Sequence, residues 1–203
     1  MKIALIGATG MAGARIRDEA LKRGHKVTGI ARHTDTLPKH ENLKIVQLDA
    51  GDVSKLTEVL HGHDVVILAV KYNKTDAEQI FGAIRKAGIK RIAVVGGAGS
   101  LEVAPGKFLV DDPSMPAAAI PQSKANAKML EMLKSIKDLE WIYISPSANF
   151  FDGDARGNVR FGKDQLLKDE EGKSSISTGD YAIAMLDEIE NPKHLRERFT
   201  VGY

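Results

Sequence analysis

The chain has 203 residues, 43% hydrophobic and 28% charged, with 29 Lys and Arg against 27 Asp and Glu and no cysteine. This length suits a single domain with a full core, expected over residues 1–203. No long single-sign charge run points to nucleic acid, and no apolar stretch is long enough to cross a bilayer. Lack of cysteine excludes disulfides, thiolate catalysis and Cys-ligated metal, and with no basic leader ahead of the first strand the expected location is cytoplasmic.

Residues 3–13, Ile-Ala-Leu-Ile-Gly-Ala-Thr-Gly-Met-Ala-Gly, open the chain. An apolar run of this kind reads as a buried parallel strand, and it leads directly into Gly7, Gly10 and Gly13. Gly7 permits the sharp turn out of the strand, Gly10 lets the backbone lie against a diphosphate, and Gly13 lets the following helix pack close. The free N–H groups at that helix start face the anion. The spacing is G-x-x-G-x-x-G, not G-x-G-x-x-G. Between a strand and a helix it still points to dinucleotide binding.

A helix is predicted over Met11–Arg23, ended by Gly24. Strands follow at His25–Ala31 and Leu43–Leu48, then a short helix capped by Asp52 and running to about His61. Asp64–Val70 reads as a strand buried on both faces. Thr75-Asp-Ala-Glu78 has capping-box spacing and opens a helix to about Ala87. Arg91–Gly96 is the fifth strand. A long irregular stretch, Gly97–Pro116, precedes a helix over Ala117–Lys137, and Glu140–Ser145 is the sixth strand. Beyond Ser147 a glycine-rich mixed segment, Phe151–Gly172, leads to a helix starting at Ser177-Thr-Gly-Asp180 and running to about Glu190. Arg198–Val201 is a candidate edge strand.

Alternating strands and helices call for an α/β fold, a doubly wound Rossmann sheet in the order 3-2-1-4-5-6. Residues 1–147 form the expected nucleotide-binding core, and 148–203 a short C-terminal substrate segment folded over the strand ends. The two long segments, Gly97–Pro116 and Ala148–Gly172, are expected to meet as walls of the substrate site.

The second strand ends Ile30-Ala31-Arg32-His33, with no carboxylate for a ribose 2′-OH. Arg32 is suited to a 2′-phosphate, which favours NADP(H) over NAD(H), although a solvated strand-end arginine is the plainer alternative. Thr9 and Met11 in the glycine loop, Ala69 and Val70 at the end of the fourth strand, Gly97 after the fifth and Pro146 after the sixth complete the positions expected to border the dinucleotide. His61-x-His63 has no third ligand at sensible spacing and reads as a turn; no metal site is expected.

The glycine triplet, Asp49-Ala-Gly-Asp52, Lys124 and Ser145-Pro-Ser147 together resemble an atypical short-chain dehydrogenase/reductase. Val95-Gly-Gly-Ala-Gly-Ser-Leu-Glu-Val-Ala-Pro-Gly106, Gln165-Leu-Leu and the tail Arg198-Phe-Thr-Val-Gly-Tyr203 resemble the bacterial NADH-flavin reductase family. The core is also similar to biliverdin-IXβ reductase, itself a flavin reductase, and to the NmrA-like NADP-binding proteins. The resemblance implies that Asp49, with Ala50 beside it, hydrogen-bonds the adenine amino group; the alternative is a turn aspartate satisfying local amides. It also places Lys124 on the nicotinamide ribose, with a plain surface lysine as the alternative.

The superfamily's carbonyl chemistry uses Tyr-x-x-x-Lys and a serine after the fifth strand. Here Ile120 stands four residues before Lys124, and the serine position falls near Gly97. Tyr72, Tyr143, Tyr181 and Tyr203 all lie outside that motif. A flavin avoids the need for a protein acid, because it takes hydride directly and the protein then supplies only proximity. Ser100, Ser147, Asn149 and Phe150 are expected to line the acceptor space, with core packing as the alternative for Phe150 and Phe151. Ala148 stands where the biliverdin enzymes carry a histidine, so tetrapyrrole reduction is not expected.

The reading is an NAD(P)H-dependent reductase that passes hydride to a flavin, quinone or similar planar acceptor, with flavin as substrate and not as bound cofactor. The alternatives are a non-catalytic NADP-sensing protein of NmrA type and an epimerase or dehydratase.

Overall fold

The computed structural model describes residues 1–35 and 37–203. Its elements run β1 (Lys2–Ile6), α1 (Met11–Lys22), β2 (Lys26–Ala31), β3 (Leu43–Gln47), α2 (Val53–Leu60), β4 (Val65–Leu68), α3 (Ala77–Lys86) and β5 (Arg91–Val95). A hairpin of β6 (Glu102–Ala104) and β7 (Lys107–Phe108) follows, then α4 (Ile120–Ser135), β8 (Glu140–Ser145), β9 (Asn149–Phe151), β10 (Arg160–Gly162), β11 (Ser175–Ser177), α5 (Thr178–Glu190) and β12 (Glu197–Gly202). Among the described residues no helix is long and apolar enough to cross a membrane.

The central sheet has the order β3-β2-β1-β4-β5-β8-β12-β10. The predicted 3-2-1-4-5-6 holds, with β8 as the sixth strand. Pairings are parallel except at the end, where β10 runs antiparallel to β12. The sheet is covered on both faces. Ile3, Leu5, Val65 and Ile67 pack in one layer with α1 and α5, whereas Ala4, Ile6, Val66 and Leu68 pack in the other with α2, α3 and α4. A strand buried on both sides has no polar positions, which is why β1 and β4 read as unbroken apolar runs. Leu56 and Leu60, both 0% exposed, fasten α2 to this sheet; each such burial is worth about 2 kcal/mol.

Three sequence expectations need correction. The tail strand is not an edge: β12 lies between β8 and β10, with Phe199, Thr200 and Val201 buried. The capping box at Thr75 does not form; Asp76 caps α3, its carboxylate accepting from Glu78 N–H at 3.0 Å and Gln79 N–H at 3.3 Å. Asp76, one residue nearer the helix, reaches both orphan donors with one carboxylate oxygen. The fourth helix begins at Ile120 and not at Ala117, because residues 117–119 form a separate 3-10 turn and Pro121 fits only a first helical turn.

The two long segments do meet. Glu102 N–H donates to the Asp164 carbonyl at 2.8 Å, and Leu166 N–H donates to the Glu102 carbonyl at 2.9 Å. The C-terminal segment is held around Asp180, which is 2% exposed. Its carboxylate accepts from Arg156 N–H (2.8 Å), Gly157 N–H (3.1 Å), the Ser177 hydroxyl (3.1 Å) and the Tyr203 hydroxyl (2.6 Å).

Candidate functional site

The turn after β1 is built around two close backbone approaches. Gly7 has φ +93°, and a Cβ there would stand 2.2 Å from the Ala69 carbonyl oxygen. A Cβ on Gly13 would stand 2.1 Å from the Gly7 carbonyl oxygen. Gly10 differs: the nearest atom to its Cβ position is the Gly7 oxygen, at 3.4 Å. Gly7 and Gly13 are therefore needed by the fold, and Gly10 faces an opening. Gly10 is the N-cap of α1, no side chain caps that end, and no acidic residue lies in its first turn. By contrast α2, α3 and α5 are capped by Asp52, Asp76 and Ser177, and α4, which also has no side-chain cap, carries Pro121 in its first turn, removing one N–H there. The start of α1 thus keeps open N–H donors and the positive end of a helix dipole.

A cleft of about 370 Å³ opens at this helix end. Of the predicted cofactor positions, Gly7, Thr9, Gly10, Arg32, Asp49, Ala50, Ala69 and Val70 line it. Three basic side chains border it, because Lys71 and Lys74 join Arg32. Sequence reading missed the two lysines. Their signal was Lys71-Tyr-Asn-Lys74 directly after a buried strand, at the strand ends where α/β sheets bind ligands. Among the described residues Arg32 is the arginine whose guanidinium makes no hydrogen bond, ion pair or ring contact; only its carbonyl is engaged, accepting from Gln47 Nε2 at 3.0 Å. Asp49 accepts from Gly51 N–H at 2.9 Å, and Asp52 caps α2 through Lys55 N–H at 3.2 Å.

Other predicted residues lie outside the cleft lining. Met11 is 47% exposed at the first position of α1, and Gly13 lies beneath the turn. Pro146 is buried after β8, and Lys124 is exposed near the start of α4. Gly97 is buried against α4, and a Cβ there would meet Asn126 Nδ2 at 2.1 Å. Ser147 is 1% exposed and donates to the Val201 carbonyl at 3.0 Å, so its hydroxyl faces the fold and not an acceptor space. Phe150, half-buried, packs on Tyr181 at 4.8 Å between ring centroids and so lies against the core. Asn149 is exposed on β9. Ser100 lines a different cavity beside Arg198. The acceptor-side residues are therefore not brought together as one constellation. Their side-chain directions depend on the pairing of β9 with β11 and of β12 with β8, which local sequence does not specify.

No tyrosine is set up as an acid. Burial pushes the hydroxyls of Tyr72, Tyr143 and Tyr181 up from the ordinary phenol range, and Tyr203 is raised by burial and by Asp180. Tyr72 and Tyr181 donate to the carbonyls of Leu68 and Ile144. Tyr143 accepts from Gly97 N–H at 3.1 Å and donates to the Asn126 carbonyl at 2.9 Å, bracing the loop after β5 against α4. Tyr143→Phe strands both partners in the interior and is expected to cost about 1–3 kcal/mol, read as a lower thermal midpoint.

The parallel sheet, the glycine turn and the open helix end define a Rossmann nucleotide-binding protein. Residues 7–192 match the family model described as NAD(P)H-binding, and the chain belongs to that family. The Bacillus subtilis protein YwnB, named only as uncharacterized, is 36% identical over 209 residues, covering 99% of this chain and 98% of that protein. A crystal structure from Bacteroides thetaiotaomicron, described as a "putative epimerase", is 41% identical with a TM-score of 0.95, covering 100% of this chain and 96% of that one. A Streptococcus pneumoniae structure described as a "putative NADH-flavin reductase" is 33% identical with a TM-score of 0.85, covering 100% and 99%.

Proposed function

We propose that this chain is an NADPH-dependent reductase of a planar acceptor such as a flavin or quinone. The observation that carries the cofactor half is the uncapped start of α1 opening into a cleft bordered by Arg32, Lys71 and Lys74. Bound there, a reduced pyridine nucleotide supplies hydride. The α1 N–H groups hold the diphosphate, and Arg32, with its fork uncommitted, takes a 2′-phosphate. The residues fit the group, since Gly10 leaves the opening clear for a phosphate. Ile120 in place of the expected tyrosine, and tyrosines committed elsewhere, favour an acceptor that needs no protein acid. The description of the pneumococcal relative agrees with that choice. The epimerase description of the Bacteroides relative implies acid–base work for which this chain presents no tyrosine.

The test is NADPH oxidation by the purified protein across riboflavin, FMN and soluble quinones. Turnover with at least one is expected. Cofactor binding with no oxidation would replace the enzyme reading by that of an NADP-sensing protein, which the same missing acids favour. Arg32→Glu is expected to raise the Kd for NADPH about 30-fold, roughly 2 kcal/mol, and to change that for NADH about threefold or less. An equal loss for both dinucleotides would remove Arg32 from phosphate recognition.

A further inference from the structure

On the far flank of α4 from the glycine turn lies a second cavity, of about 600 Å³, which shares no lining residue with the cofactor cleft. Ser100 and Glu102, Gln165, and Arg198 all line it. These belong to three separate stretches of the sequence, Val95–Gly106, Gln165-Leu-Leu and Arg198–Tyr203, which the fold brings to one place.

Arg198 is the unusual member. Its side chain is only 7% exposed, although it carries a full charge and borders a cavity. The counterion is Asp164, whose side chain is 67% exposed. A single oxygen, Asp164 Oδ1, accepts from both Nε (3.0 Å) and Nη2 (2.5 Å). The planar fork is thus met by one oxygen where two would match it better. On the other side Nη1 donates to the hydroxyls of Ser100 and Ser145, each at 3.3 Å. Among the described residues the Ser100 hydroxyl hydrogen has no acceptor. Asp164 is held to the fold through its carbonyl, which accepts from Glu102 N–H, so its side chain can swing outward while the backbone stays in place. The rest of the wall is mixed: Phe108, 41% exposed, forms its apolar part with Val110, Ala127 and Leu130, and Glu102, Gln165 and the paired Glu131 and Lys134 form its polar part.

We propose that this cavity binds a small aromatic carboxylate. The ligand carboxylate replaces that of Asp164 on the Arg198 fork and accepts from the Ser100 hydroxyl, and its ring lies between Phe108 and Leu130. Asp164 is then an internal stand-in for the ligand, and it sets a threshold that the ligand must overcome. This site does not depend on the reductase reading, because its binding is measured with no dinucleotide present.

The experiment is calorimetric titration and thermal melting of the full chain with benzoate as probe, and benzamide as its uncharged isostere. Asp164→Ala is expected to bind benzoate at least tenfold more tightly than the parent protein. Ser100→Ala in that background is expected to lose about tenfold of it. Removing Asp164 also leaves Arg198 unpaired, so benzoate is expected to raise the melting midpoint of Asp164→Ala more than that of the parent, with benzamide inert. Asp164→Asn, which keeps the side-chain oxygen and loses the charge, provides a second variant with the same expected direction. Benzoate affinity unchanged in both variants, or benzamide binding as well as benzoate, would overturn the proposal.

Discussion

Asp180→Ala is expected to lower the stability of the fold by about 3–4 kcal/mol. For a chain of this size that corresponds to a fall of about 10 °C in thermal midpoint. The carboxylate is the common acceptor for Arg156 N–H, Gly157 N–H, the Ser177 hydroxyl and the Tyr203 hydroxyl, and it is 2% exposed. Truncation leaves the buried Ser177 hydroxyl without this acceptor and strips it from the partly buried Arg156, Gly157 and Tyr203 donors, and a buried unpaired donor costs more than the bond contributed. Asp180→Asn keeps an oxygen and is expected to lose less than half as much. The same site gives a pH dependence. Burial alone would raise the Asp180 pKa, but the hydrogen bonds from Arg156, Tyr203, Gly157 and Ser177 outweigh it, so the carboxyl lies below its ordinary value in the folded chain. The group therefore contributes its stability above the unfolded carboxylate pKa, and that contribution is lost as pH falls toward and through the lower folded value. Acid unfolding followed by circular dichroism should show a shallower slope in that range for Asp180→Asn. An unchanged slope would assign the acid sensitivity to other carboxylates.

Gly7→Ala and Gly13→Ala are expected to act on folding, and Gly10→Ala on cofactor binding. At Gly7 a methyl meets the Ala69 carbonyl at 2.2 Å and φ is +93°; at Gly13 it meets the Gly7 carbonyl at 2.1 Å. Both obstacles are backbone and cannot move aside cheaply. Each substitution is expected to cost about 3 kcal/mol or more. Gly10 has φ −71° and ψ 165°, which any residue adopts, and its Cβ position meets nothing nearer than 3.4 Å. Gly10→Ala is expected to melt within about 2 °C of the parent while losing about 100-fold in NADPH affinity, roughly 2.8 kcal/mol. Melting curves and a fluorescence titration of NADPH separate the two effects. Full affinity in Gly10→Ala would mean that the diphosphate lies elsewhere.

The nucleotide half of the fold was legible because its signals are local. An apolar run, a glycine turn and a capped or glycine-ended helix each need only neighbouring residues, and β1, β4, Gly24 and Asp52 read correctly. The choice of Asp76 over Thr75 as cap was a competition between adjacent residues that spacing alone does not decide. The C-terminal quarter was less legible for a different reason. β12 is interior only because β10, more than thirty residues earlier, folds back to cover it. Whether Ser147 and Phe150 face an acceptor or the core follows from those long-range pairings. Lys71 and Lys74 were missed because nothing local aims them at a ligand until the cleft's walls are assembled from β1, β2 and β4.

Helix α1 is left without the side-chain stopper that Asp52, Asp76 and Ser177 give α2, α3 and α5. On the proposed reading, a diphosphate at that end would complete the helix as those side chains complete theirs. At a free nucleotide level a hundred times its Kd the gain is about 2.7 kcal/mol. The size of the cell's pyridine nucleotide pool would then govern turnover of the polypeptide itself, with starved cells clearing it by proteolysis sooner than well-fed ones.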